Sequence, residues 1–189
     1  MAEYSYLIRR KVFQLFGASF HIYDASGALI GFSSQKAFKL KEDIRVYKDE
    51  SKQDELLVIK ARQIIDFSAC YDVFNSSDNA LLGTWQRHGF TSMIRDSWTL
   101  LNPSGEKMGE IKEDAMALAL VRRFVDGGNL IPQSYSFSYG DYTDAVTYSQ
   151  CFNPFVFKLK VRINKDGGID PGLILAGGIL LTAIEGRQS

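Results

Sequence analysis

What this chain has little of narrows what it can be. Its 189 residues hold 4 prolines, 2 cysteines and 2 histidines, and its 22 basic and 22 acidic side chains leave no net charge. The charge balance removes any global pull toward nucleic acid, so no nucleic-acid partner is expected, although a local basic patch remains open. Cys70 and Cys151 stand alone, without partners at metal-ligand spacing. One bridge between them is one reading; reduced packing thiols in a cytosolic protein are the preferred one. His21 and His88 have no nucleophile, base or metal ligand beside them in a motif, so both read as ordinary strand or loop residues. Gly127-Gly128 and Gly167-Gly168 lack the spacing and the following Lys-Ser/Thr of a phosphate loop. No catalytic residue, metal or cofactor is therefore expected, and the chain does not read as an enzyme. MAEYSYLIRRKVF has no long apolar run or cleavage site, so it is not a signal peptide, and no myristoylation or prenylation site is present. A cytoplasmic protein is expected, with peripheral membrane contact open.

Aromatic residues are plentiful, with 13 phenylalanines and 9 tyrosines, a bias toward strands. The length suits one domain over residues 1–189. Three segments repeat a pattern: HIYDASGALIGF from His21, DVFNSSDNALLGTW from Asp72 and TLLNPSGEKMGEI from Thr99. Each is an apolar strand end, an Asp or Asn, a small polar turn (Asp24 to Gly27, Asn75 to Asn79, Asn102 to Gly105), and a second strand entering a glycine (Gly31, Gly83, Gly109). Asp and Asn bond the backbone ahead of them and Gly or Asn accepts positive φ, so these are hairpin turns. Strand-like runs lie between them at Tyr4–Phe16, Gln35–Tyr47, Glu55–Ile65 and Thr91–Leu101, with a polar turn at Lys48–Asp54. So long an antiparallel meander must curl or close.

EDAMALALVRRFV breaks the strand pattern. Acidic residues open it, Arg122 and Arg123 close it and a glycine pair follows, predicting a short helix over about 113–124. Strands resume at Gln133–Tyr139, Ala145–Cys151 and Phe155–Ile163. The last alternates apolar Phe155, Phe157, Leu159, Val161 and Ile163 with Lys158, Lys160 and Arg162, as a barrel wall does. The closing DPGLILAGGILLTAIEG carries no charge between Asp170 and Glu185. Asp170 is a good N-cap and Pro171 a good first helical residue. A helix from Pro171 to Ile184 spans about 21 Å against roughly 30 Å of bilayer hydrocarbon, so it belongs inside a core. Its glycines keep it slim. The expected fold is mainly β (α+β), a closed antiparallel barrel around a buried hydrophobic helix at about 170–185.

The Tyr-x-Ile-Arg-Arg-Lys run from Tyr6 to Lys11, the YDASG turn, the glycine leaving each hairpin, FNPFVFKLKV and the apolar C-terminal segment together resemble the LURP-one-related and phospholipid-scramblase-like proteins of the tubby C-terminal-like superfamily. The resemblance covers nearly the whole chain. It implies a barrel of about twelve strands around a central C-terminal helix. The proline-rich arm and cysteine cluster of animal scramblases are missing.

Arg9, Arg10 and Lys11 form the densest basic cluster and are the lipid-headgroup candidates; a solvated strand end is the plainer reading. Asn164, Asp166 and Asp170 in NKDGGID are too few for a calcium loop and read as a turn and an N-cap. Trp85 and Trp98 read as wall packing. The expected function is non-enzymatic binding of anionic phospholipid headgroups or of a protein partner. The alternative is a phospholipid scramblase whose C-terminal helix inserts in the membrane.

Overall fold

In the computed structural model the chain winds as one antiparallel meander that closes on itself. The structure describes residues 5–11, 18–35, 43–62, 68–88, 97–114, 133–151, 153 and 156–184. The strands are β1 (Tyr6–Lys11), β2 (Ala18–Asp24), β3 (Leu29–Gln35), β4 (Ile44–Tyr47), β5 (Glu55–Ala61), β6 (Ser68–Asn75), β7 (Leu81–His88), β8 (Ser97–Leu101), β9 (Lys107–Glu113), β10 (Ser134–Tyr139), β11 (Tyr142–Cys151) and β12 (Val156–Ile163). Each pairs with its sequence neighbours, and β12 pairs with β1 to complete the barrel, which leaves no free sheet edge. Helix α1 (Pro171–Ile184) runs through the interior.

The three repeated segments are hairpins whose turns work as the residue types require. Asp24 Oδ1 accepts from the Ser26 and Ala28 amides at 2.8 and 3.0 Å, and Asn102 Oδ1 accepts from the Glu106 amide at 2.9 Å. Gly27 and Gly105 both sit at φ 85°, a region closed to most side chains. The glycine downstream has its own cause. In each hairpin the register slips by one residue after the turn, and the ladder resumes at the glycine: Ile22 opposite Gly31, Val73 opposite Gly83, Leu100 opposite Gly109. A side chain at Gly83 would strike the Leu101 carbonyl at 2.7 Å. The β4–β5 hairpin has the same bulge but places Leu57 opposite Val46, so no glycine marked it in the sequence.

That exchange fits the helix to the wall. Where the wall has Gly83, the helix presents Leu173; where the wall has Leu57, the helix has Gly172. Asp170 caps α1, with Oδ1 2.7 Å from the Gly172 amide. Trp85 Nε1 donates to the Leu173 carbonyl at 3.0 Å, and Tyr148 Oη donates to the Ile174 carbonyl at the same distance. Burial pushes the Tyr148 phenol far above its ordinary pKa, so it remains a donor. Of the 14 helical residues all but Pro171, Gly172 and Leu175 are buried.

The structure divides two expected elements. The run Gln35–Tyr47 is no single strand: Gln35 ends β3 and Ile44 opens β4, because the chain reverses between them. Glu113, the expected start of a helix, instead ends β9 paired with Tyr135; the rest of that helix, 115–124, lies outside the described residues.

Candidate functional site

The basic cluster on β1 is split by the pleat. Ile8 is fully buried, so Arg10 shares its inward face while Arg9 points out. Arg10 Nη1 donates to the Thr182 carbonyl at 3.2 Å. Helix α1 has no basic residue in its last turn, so Arg10 supplies from the wall the cation that the helix's negative end favours. Arg10→Ala should therefore lower stability by about 1–2 kcal/mol, read from a denaturant midpoint. An unchanged midpoint would mean the contact contributes nothing. Lys11 stands opposite Val156 in the register, and its side chain is outside the described residues.

Arg9 keeps different company. It stands directly opposite Lys158 on β12, and on its other side opposite His21 on β2. Lys160 lies between Leu7 and Ser149, and Arg162 opposite Thr147. Leu159 and Val161, the alternate residues of β12, are buried, so Lys158, Lys160 and Arg162 face outward. The outer side of β11–β12–β1 thus carries Arg9, Lys158, Lys160 and Arg162 together with the hydroxyls of Thr147 and Ser149, and the register partners described for Arg9 and Lys158 include no carboxylate. Asp144, at the start of β11, is bonded to Ser136 Oγ.

Several charges on the other walls are paired. Arg45 meets Glu55 at 2.6 Å, and that hydrogen bond raises the guanidinium pKa. Arg62 meets Asp72 at 2.5 Å, and Asp72 also accepts from Thr84. Lys107 and Lys112 both bond Glu110 and hold its carboxyl below the ordinary range. On the β12–β1 wall, by contrast, two like charges face each other across one register step. Such an opposed pair costs about 0.2–1 kcal/mol. Arg9 Nε is moreover shielded from water and has no hydrogen-bond partner among the described residues.

His21 bounds this wall. Its Nε2 lies 2.7 Å from Glu50 Oε1, and its ring packs edge-on to Phe32 at 5.0 Å. Lys52 Nζ donates to Ser34 Oγ at 2.6 Å, so the β4–β5 turn folds back over β2 and β3. His88 Nε2 meets Thr99 Oγ1 at 2.8 Å.

Each aspartate of NKDGGID has one carboxylate oxygen engaged by a nearby amide. Asp166 Oδ1 accepts from the Gly168 amide, and Asp170 Oδ1 caps α1. Asn164 Nδ2 donates to the Asp144 carbonyl and to Thr147 Oγ1. That is a turn and an N-cap. Trp85 and Trp98 pack inward at 1% exposure. Cys70 and Cys151 are both free, and burial raises the Cys70 thiol pKa, which keeps it protonated.

Sequence reading named Arg9 but not its partners. The alternation in β12 showed that Lys158, Lys160 and Arg162 share a face. Only the β1–β12 pairing, across some 150 residues, joins them to Arg9.

Fold and surface together define a closed twelve-stranded barrel on an apolar axle, with one cationic outer wall. The family model for LURP-one-related proteins matches residues 30–182, and the chain belongs to that family. Comparison with curated proteins and comparison with solved structures each give no match.

Proposed function

We propose that this protein is a non-enzymatic, cytoplasmic binding barrel whose β11–β12–β1 wall holds anionic phospholipid headgroups. The opposed pair Arg9 and Lys158 carries the reading. It costs stability where a structural wall would place opposite charges, and an anion between the two would remove the repulsion and give Arg9 Nε an acceptor. Arg10 is not part of this site, because it faces α1. The alternative, insertion of the helix, would require α1 to leave the core it fills, and no helix among the described residues is long and apolar enough to cross a membrane.

Vesicle co-sedimentation tests the proposal. Wild-type protein should bind phosphatidylserine vesicles and release them as salt rises. Arg9→Ala and Lys158→Ala should each weaken binding about fivefold, the worth of one basic side chain near an anionic surface. Lys158→Asp should abolish binding while raising thermal stability slightly, since it turns a repulsion into an attraction. Full binding by the Arg9→Ala, Lys158→Ala double variant would place the site elsewhere. Absence of binding to any anionic vesicle would favour a protein partner.

A further inference from the structure

One end of the barrel gathers all its tight turns. Each strand of the meander runs opposite to the one before, so the turns after β2, β4, β6, β8 and β10 and the loop from β12 to α1 lie together. Every one of them brings a carboxylate: Asp24, Asp49, Asp78, Glu106, Asp141 and Asp166. Hydrogen bonds from Ser26 and Ser51 hold the Asp24 and Asp49 carboxyls below the ordinary range, so both stay ionised. At this end lies a pocket of about 190 Å³ lined by Ile163, Ile169, Pro171 and Ile174. Residues 165–167 complete its lining and bring one lysine and one aspartate. Ile169 and Ile174 are buried and Pro171 is exposed, so the pocket reaches from the surface to the first turn of the axle. An aliphatic cavity of about 150 Å³ is enough to hold a benzene ring.

We infer that this end docks a segment of another protein in which one apolar side chain is flanked by lysines or arginines. The pocket takes the apolar side chain and the surrounding carboxylates take the cations. Tyr142 widens the apolar surface. It is 48% exposed, an unusual position for so large a ring in the described part of the chain. A Cβ on Gly167 would come within 3.1 Å of Tyr139 and 3.7 Å of Tyr142, so the β10–β11 turn with Asp141 stands against the pocket lining. Tyr6 pairs with Val161 on one side and with Asp24 on the other, which puts Asp24 two strand spacings, about 10 Å, from β12. The carboxylates decide the occupant. They repel anionic phospholipid, which turns a lipid tail away from this end. Among the described residues no three His, Cys, Asp or Glu side chains are grouped to hold a metal ion. Negative charge spread over separate turns instead suits the spaced cations of a basic polypeptide. The surface is at the end of the barrel, apart from the cationic wall, and the inference does not depend on what that wall binds.

Short peptides with blocked ends are the probes, titrated into the full chain and followed by amide chemical shifts. The peptide Lys-Lys-Phe-Lys-Lys should shift the amides of residues 163–174 and of Tyr142, and should bind more weakly as salt rises. Lys-Lys-Ser-Lys-Lys should bind about tenfold more weakly, the worth of one buried phenylalanine, and Glu-Glu-Phe-Glu-Glu should not bind. Asp141→Lys, in an exposed turn, should weaken the phenylalanine peptide by about threefold to fivefold. Ile163→Trp, which fills the pocket, should bring the phenylalanine peptide down to the level of the serine peptide. A thermal melt shows whether that variant is folded; if it is not, Asp141→Lys and the paired peptides still decide. Equal binding of the phenylalanine and serine peptides would leave only general attraction between charges and overturn the inference. Shifts centred elsewhere, or none at millimolar peptide, would overturn it too. If the same amides shift on diluting the protein alone, a second copy of this chain fills the pocket, and the assignment to another protein fails.

Discussion

Residues 1–169, expressed without the C-terminal helix, are expected to be insoluble or molten, with no cooperative thermal transition. Helix α1 buries six large aliphatic side chains, Leu173, Ile174, Ile179, Leu180, Leu181 and Ile184. Burial of each contributes about 1.5–3 kcal/mol. Together that is of the order of the entire net stability of a domain, about 5–15 kcal/mol. The wall loses as much again in kind: Trp85 and Tyr148 would lose the carbonyls they bond, and inward residues such as Ile8 and Val161 would line a void. Circular dichroism melts of the fragment and the full chain measure this. A soluble fragment with a sharp melt would show that the barrel stands without its axle, and would reopen a membrane role for the helix.

Gly178→Leu should destabilise the full chain by about 3 kcal/mol, the upper part of the range for overpacking, and lower Tm by about 6–12 °C. A Cβ at this position already comes within 2.6 Å of Ile8 Cδ1, 3.4 Å of Tyr148 Cε1 and 3.5 Å of Val161 Cγ2. Tyr148 cannot retreat, because its hydroxyl is tied to the Ile174 carbonyl of the same helix. Ile8 is a flexible side chain and can move a little. Gly178→Ala should therefore be much milder, with the gain in helix propensity of about 1 kcal/mol offsetting part of the clash. The contrast between the two variants is the test. If leucine is tolerated as well as alanine in a chemical denaturation series, the helix is not closely held by the wall.

Much of the architecture was legible because its signals are local. An Asp or Asn that bonds its own backbone ahead, a residue tolerant of positive φ and a glycine at the resumed ladder lie within a dozen residues, so three hairpins could be read directly. The β4–β5 hairpin was legible from its polar turn at Lys48–Asp54 but not from a glycine, because its bulge places Leu57 there, matched to Gly172 on the helix. That compensation between residues more than a hundred positions apart cannot be read from either alone. The end of β9 misled for a related reason. Glu113 suits a helix start by type, but pairing with Tyr135 on β10 extends the strand through it.

The site was half legible. In YLIRRK both alternate sets are mixed: Tyr6, Ile8 and Arg10 against Leu7, Arg9 and Lys11. Neither pattern names the inward face, so three adjacent basic residues read as one cluster. Burial of Ile8 between β2 and β12 selects the face, sends Arg10 to the end of α1 and leaves Arg9 beside Lys158.

By itself, the sequence determined a β-meander of Asx-turn hairpins and a capped apolar helix too short to span a bilayer, since turn chemistry, alternation and helix length are properties of neighbouring residues. Tertiary structure decided which strands close the ring, which side of each strand is inside, and therefore which charges meet. The cationic wall exists only because β12 pairs with β1: closure sets its register by burying Ile8, Leu159 and Val161 against the axle, and the like charges on the outer face must follow.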